Sequence, residues 1–156
     1  MNNAFSAVVS ILVAAIIFTF LPLMLIYERM DSVRQMYALT ETEYFVDSIC
    51  NTGFLSEDMY KQFIKSLGDK GGVYKVEITQ EVNTYIPADD GYDRCKEYYD
   101  EEDMIAVFEN NENYYFSRDD YIRVIVTRLS SVNPFTRANE PMTECYYGGQ
   151  IKYEAY

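Results

Sequence analysis

The chain has 156 residues, of which 13 are basic and 25 acidic, and a formal net charge of −12 at pH 7. An acidic chain without a basic patch cannot make the phosphate contacts that duplex binding needs, so we expect no nucleic acid partner. The sequence contains no His, which removes the commonest general base and the commonest metal ligand. We therefore expect no enzymatic activity and no cofactor.

The charged residues are confined to one part of the chain. Residues 1–27 contain no Lys, Arg, Asp or Glu, so every charge lies in residues 28–156. A helix over residues 4–27 would be roughly 36 Å long, which is enough to span a bilayer core of about 30 Å with some tilt. The run is longer than the apolar part of a secretory signal and carries no Ala-x-Ala-like site after it. The sequence predicts a transmembrane anchor helix over residues 1–27, with the lipid bilayer as its partner, and a small acidic α+β domain over residues 28–156.

Two features inside the apolar run bear on how it packs. Ser6, Ser10 and Ala14 are four residues apart, so they form a small-residue strip on one helical face, and such strips let membrane helices approach closely. A generic mixture of small and large apolar residues gives the same spacing, and the sequence does not separate the two interpretations. Pro22 cannot donate a backbone hydrogen bond to the carbonyl of Phe18, so we expect a kink or a loosened turn there.

The flanks of the anchor and the composition of the domain give conflicting signals about orientation. Arg29 and Arg34 follow the apolar run, and by the positive-inside rule they place the domain in the cytoplasm. The three Cys and the acidic, Tyr-rich composition are typical of an extracellular domain. On balance we expect a single-pass protein of the cell membrane with its domain outside the cell.

The helical pattern does not stop at the end of the anchor. Apolar residues at spacings of three and four predict an amphipathic continuation to about Cys50, and Gly53 can supply the left-handed residue that ends many helices. Ser56 is the predicted N-cap of a second helix that runs to about Leu67, where Gly68 ends it.

The remaining sequence alternates short apolar stretches with acidic, Gly-containing and Pro-containing segments. Period-two alternation and β-branched residues predict three strands, over residues 73–82, 121–129 and 150–156. Residues 86–103 and 130–142 are predicted to be loops, except for a short helix that begins at Asp100. The predicted fold is α+β: a long N-terminal helix, a second short helix, and a small antiparallel sheet of about three strands.

The acidic segment after the first strand is the one candidate for a metal site. Asp89, Asp90 and Asp93 offer carboxylate oxygens of the kind that bind Ca²⁺. Their spacing is not that of a calcium-binding helix-loop-helix, so a solvated acidic loop is the preferred interpretation and we predict no metal.

The three cysteines allow one disulfide and leave one free thiol, and their positions do not choose the pair. We favour Cys95 with Cys145, because this bridge would pin two long loops that lack other anchoring. Cys50 would then be the free thiol. In the cytoplasm all three would be reduced.

An apolar N-terminal helix with Pro22 that runs unbroken into an amphipathic half and then a small sheet resembles the type IV pilins and pseudopilins. Residues 37–52 and 55–67, followed at once by a strand, more specifically resemble TadE-like minor pilins of tight-adherence (Flp) pilus systems. The resemblance implies a pilin-like fold and a structural subunit that meets other pilin-like subunits or pilus assembly proteins through its N-terminal helix. Phe5 stands where pilins usually carry Glu, so the resemblance points to a minor or initiating component of a surface filament or secretion assembly.

A second hypothesis comes from the aromatic composition. Sixteen Tyr and no Trp supply many rings that can bury a face while the hydroxyl stays in water. The chain would then be a single-span membrane sensor or adhesion module that binds a ligand through its acidic, Tyr-rich domain.

Overall fold

The structure is a computed structural model that describes residues 2–69, 72–88, 91–129 and 144–153. Its helices are α1 (Asn2–Thr52), α2 (Glu57–Asp69) and α3 (Glu101–Phe108). Its strands are β1 (Phe54–Leu55), β2 (Tyr74–Ala88), β3 (Gly91–Asp100), β4 (Tyr114–Tyr115), β5 (Tyr121–Arg128) and β6 (Glu144–Gln150). The fold is α+β with antiparallel sheets, as the sequence predicts.

Four of the strands form one antiparallel sheet in the order β3-β2-β5-β6, and β1 pairs with β4 in a separate two-residue ladder. β2 and β3 make a long hairpin, paired from Thr79 opposite Asp100 to Ala88 opposite Gly91. β2 also pairs with β5 along its first half, so the far half of the hairpin projects beyond β5 and β6.

The second half of α1 lies across one face of this sheet. The α1 side chains on this side are buried, and Val46 and Ile49 have no exposed surface. Ile122 and Val124 of β5 point at the helix and are equally buried. Burial of side chains of this size contributes about 1.5–3 kcal/mol each, so this contact is the centre of the core.

α2 packs on the same stretch of α1, beside the sheet. The rings of Phe45 and Phe63 stack with their centroids 4.2 Å apart. The Met59 amide donates to Ser56 Oγ at 3.2 Å, which confirms the predicted N-cap, and Gly53 ends α1 with a φ of 77°, which confirms the predicted stop. α2 continues through Gly68 and ends at Asp69, two residues after Leu67, where the sequence predicts its end.

The predicted loop over residues 86–103 is wrong, because most of it is strand. β2 extends to Ala88 and β3 occupies Gly91–Asp100, followed directly by α3. Acidic and basic residues favour strands poorly, but the ladder to β2 satisfies the backbone hydrogen bonds of this segment and so determines its conformation. Within the described residues the main sheet therefore has four strands, one more than the approximate number that the sequence predicts.

The predicted last strand, residues 150–156, is also wrong in its position, since β6 begins at Glu144 and ends at Gln150. Gly148 and Gly149 lie inside β6. A Cβ at Gly148 would fall 2.5 Å from the Tyr121 hydroxyl, and one at Gly149 would fall 2.8 Å from Cys50 Sγ. These glycines therefore allow close approach within a strand. The predicted loop over residues 130–142 lies outside the described residues.

Replacing Gly149 tests how closely β6 and α1 pack. We expect Gly149→Ala to cost about 1–3 kcal/mol, because the new methyl group would overlap the Cys50 side chain in the core. Gly68→Ala is the matched control, since nothing lies within 4 Å of its Cβ position and a helical Gly→Ala change gains about 0.5–1 kcal/mol. Thermal unfolding of the full chain in detergent micelles, followed by near-ultraviolet circular dichroism, measures both. Equal effects of the two substitutions would contradict this packing.

Candidate functional site

The first half of α1 projects from the described part of the domain with its side chains exposed. Residues 4–26 are all exposed, and the most apolar part of the helix has none of its residues buried. The helix is long and apolar enough to cross a membrane. α1 is unbroken over 51 residues, a length of about 76 Å, so the apolar half and the half that packs in the domain belong to one helix.

The small-residue strip lies within the apolar half. The hydroxyl of Ser10 donates to the carbonyl of Ser6 at 2.9 Å, and Thr19 does the same to Ala15 at 2.9 Å. Because the Ser10 hydroxyl is satisfied by the helix itself, this residue can face lipid or another helix without leaving its hydroxyl unpaired. The role of the strip in helix packing stays a prediction.

Pro22 lies inside α1 and does not end it. A kink at this residue stays a prediction, since the helix is continuous on both sides of Pro22.

An ion pair fastens the domain to α1 just beyond the apolar run. Asp31 Oδ1 accepts a hydrogen bond from Arg128 Nη1 at 3.1 Å, and Arg34 Nη1 lies 3.7 Å from the same oxygen. The three side chains are mostly buried, at 14–22% exposed, and such charge-assisted hydrogen bonds are stronger than neutral ones. The end of β5 is therefore fixed to α1 four residues after Tyr27.

The side of α1 that faces away from the domain carries exposed apolar residues. We call Val33, Met36, Thr40 and Tyr44 the outer helix face. Their spacings of three and four place them on one side of the helix, and Val33, Met36 and Tyr44 are about 70% exposed. An apolar surface thus continues along α1 past the end of the apolar run.

The sheet also has a free face, on the side opposite α1. We call it the outer sheet face, and its large exposed side chains include Tyr98 and Tyr146. Charges of both signs lie between the rings, with Lys96 paired to Glu81. This face is rich in Tyr, as the adhesion hypothesis requires, but it is mixed in charge and not uniformly acidic.

The candidate metal ligands are only partly described. Asp93 is an exposed residue of β3 and pairs with Ile86, and Asp89 and Asp90 lie outside the described residues. Within the described ranges, no group of three or more His, Cys, Asp or Glu is placed to hold a metal ion.

The structure does not bring the two predicted disulfide partners together. All three cysteines are free. Cys95 lies on β3 and Cys145 on β6, at opposite edges of the four-stranded sheet. Cys95 lies opposite Thr84 of β2, whereas Cys145 is in line with Val76, eight residues away along the same strand. Together with three strand spacings of about 4.8 Å, this offset separates them by roughly 30 Å, whereas a disulfide needs Cα atoms within about 7 Å. The predicted Cys95–Cys145 disulfide depends on both cysteines lying in long loops. Both lie in strands instead, so the prediction is wrong.

A buried polar cluster escaped the sequence analysis. Gln80, Tyr114 and Asp120 are hydrogen-bonded to one another through their side chains, although Gln80 lies 34 and 40 residues from the other two. The pairing of strands brings these three residues together. The local sequence around Gln80 does not indicate that this side chain will be buried against Tyr114 and Asp120.

No protein-family model, no curated protein and no solved structure matches the chain. The function of the protein is therefore inferred from the geometry of α1 and of the domain surfaces.

Thiol labelling tests the placement of the cysteines. Burial raises the pKa of Cys145, and burial together with the nearby Asp47 carboxylate raises the pKa of Cys50. Both thiols are therefore protonated and shielded at neutral pH, so we expect iodoacetamide to label Cys95 first in the folded protein. Mass spectrometry after proteolysis identifies the labelled residue.

The control is the same reaction in denaturant, where all three cysteines should be labelled without reductant. Labelling of Cys95 and Cys145 only after reduction would contradict the structure and restore the predicted disulfide.

Proposed function

We propose that the protein is a membrane-anchored, pilin-like structural subunit that associates with other membrane helices through α1 and holds its domain outside the cell. The observation that carries this proposal is that one continuous helix is both the exposed apolar segment and the central element of the domain core. Because the second half of α1 is buried in the domain core, the positions of neighbouring helices also determine the positions of their domains.

The small-residue strip supports lateral association of the apolar half. Helices in lipid gain stability from close van der Waals contact, and small side chains permit it. The Ser10 hydroxyl is already bonded within the helix, so its contact with a partner costs no desolvation of an unpaired group.

The direction of the strip favours a staggered arrangement. Ser6 and the buried Thr42 are 36 residues apart, which is ten full turns of an ideal α-helix at about 3.6 residues per turn. The strip therefore starts on the same side of α1 as the domain. Two copies that meet at this side would bring their domains into collision at equal heights, so a neighbour must be shifted along the helix axis, as in a filament.

The outer helix face supports a second contact between copies. Val33 and Met36 lie beyond the charge-free run, where water would surround them in an isolated chain. Covering this face with a neighbouring helix removes apolar surface from water.

A leucine substitution in the strip tests the proposal. We expect Ser10→Leu to weaken association of the full chain in liposomes about tenfold, because the larger side chain keeps neighbouring helices apart. Thr19→Leu is the matched control. The Thr19 hydroxyl also donates to the carbonyl four residues back, but Thr19 is nine residues after Ser10 and therefore lies on the opposite side of the helix. Energy transfer between chains labelled with donor and acceptor dyes measures association.

Near-ultraviolet circular dichroism of both variants should match that of the unmodified chain, because neither side chain touches the domain. Unaltered association of Ser10→Leu, or an equal loss for Thr19→Leu, would count against assembly through the strip.

The outer sheet face favours the second candidate function, a single-span sensor or adhesion module. Tyr85, Tyr98 and Tyr146 are each more than 60% exposed, and exposed aromatic rings are common anchors in binding surfaces. Replacing residues 2–27 with an unrelated apolar helix distinguishes the two candidates. Association between chains should be lost if the strip drives assembly, whereas binding through the domain should persist.

A further inference from the structure

A cleft of about 390 Å³ opens at the base of the β2–β3 hairpin, between the hairpin, α3 and β4. None of the described residues that line it belongs to α1, so it is separate from the helix surfaces to which the proposed assembly is assigned. The cleft is shallow and open to solvent, and its volume is enough for one small molecule.

The floor of the cleft is a buried, hydrogen-bonded polar cluster. Gln80 and Asp120 line the cleft, and each is only 4% exposed. Gln80 Nε2 donates to Asp120 Oδ2 at 2.6 Å, and the Ser117 amide donates to the same oxygen at 2.9 Å. The Tyr114 hydroxyl donates to Gln80 Oε1 at 2.5 Å. A carboxylate is thus held in a fixed position in a partly dry environment.

The walls of the cleft are aromatic. Tyr99, Tyr114 and Tyr115 line it, and the ring of Tyr114 is held edge-on to the buried Phe116 at 5.1 Å between centroids. Tyr99 is 37% exposed and bonds Glu97 through its hydroxyl at 3.1 Å. The faces of such rings carry partial negative charge and attract cations.

Among the described residues that line the cleft, the charged side chain is that of Asp120. No Lys or Arg is among the described residues that line the cleft. Burial, together with the nearby Tyr99, Asp103 and Asp120, raises the pKa of Tyr114 to about 12. The negative charges that contribute to this shift favour a positive charge in the same place, whereas burial opposes a charge of either sign.

The backbone around the floor is fixed on both sides. Asp119 has a φ of 73°, in the left-handed region. Its amide donates to the Ile151 carbonyl at 3.2 Å, the Ile151 amide donates back to Asp120 at 2.8 Å, and Gln150 Nε2 donates to Asp119 Oδ1 at 3.1 Å. A site held in this way loses little freedom when a ligand binds.

We propose that this cleft binds a small alkylammonium ion, with the cationic group between the tyrosine rings and above the Gln80–Asp120 floor. The aromatic walls supply cation–π attraction, the carboxylate supplies charge complementarity, and the apolar parts of the lining contact the alkyl groups. An anionic ligand is opposed by the same charges, and the volume suits one small cation.

Titration of the full chain in detergent micelles with choline tests this proposal. The comparator is 3,3-dimethylbutan-1-ol, which has the shape of choline without its charge. Nuclear magnetic resonance of isotope-labelled tyrosine rings should show saturable shifts at Tyr99, Tyr114 and Tyr115 with choline alone. We expect Tyr99→Ala to weaken choline binding about tenfold through loss of one aromatic wall.

Tyr98→Ala is the matched control, because adjacent strand residues point to opposite faces of the sheet and Tyr98 lies on the outer sheet face. Asp120→Asn should weaken binding further. Since Asp120 also holds its own loop, near-ultraviolet circular dichroism checks the fold of that variant, and Tyr99→Ala gives the test if it does not fold.

Equal binding of the neutral comparator would overturn the proposal, because the cleft would then be merely apolar. A Kd for choline weaker than about 10 mM, which corresponds to less than 3 kcal/mol, would also overturn it. So would an equal loss of binding in Tyr98→Ala and Tyr99→Ala. A failure of helix association leaves this result unaffected, because the strip and the cleft share no residue.

Discussion

The burial of one side of α1 against β5 and β6 is the contact on which the rest of the structure depends. Val46 and Ile49 fill the space above Ile122 and Val124, and without the helix that face of the sheet would be open to water. An antiparallel sheet of this size needs such a cover to be stable. Because the covering helix is also the apolar segment, folding of the domain fixes the direction in which that segment leaves it.

No flexible linker separates the apolar run from the domain. The run ends at Tyr27, and the first tertiary contact that we describe is the ion pair of Asp31 with Arg128. The intervening helix is about 6 Å long. A rotation or shift of the apolar half is therefore passed to the sheet with little loss, and in the proposed assembly the orientation of each domain follows from that of its helix.

Local patterns in the sequence predict the elements whose own residues determine their conformation. The continuation of α1, the stop at Gly53, the cap at Ser56 and the alternation in β2 and β5 are of this kind. β3 is different, because its charged residues suit a loop and only the partner strand makes it a strand. The cleft is less predictable still, since Gln80 and Asp120 are distant in the sequence and become neighbours only through strand pairing.

β3 is also an edge strand of the sheet, ten residues long. An edge of this length could recruit strands from other copies and grow into an ordered aggregate. Its sequence instead places Asp93, Arg94, Lys96 and Glu97 in succession around Cys95, and charged side chains at an edge make such pairing unfavourable. In the proposed assembly, domains can thus be crowded together at high local concentration without their sheets pairing, so cohesion between copies depends on the helix.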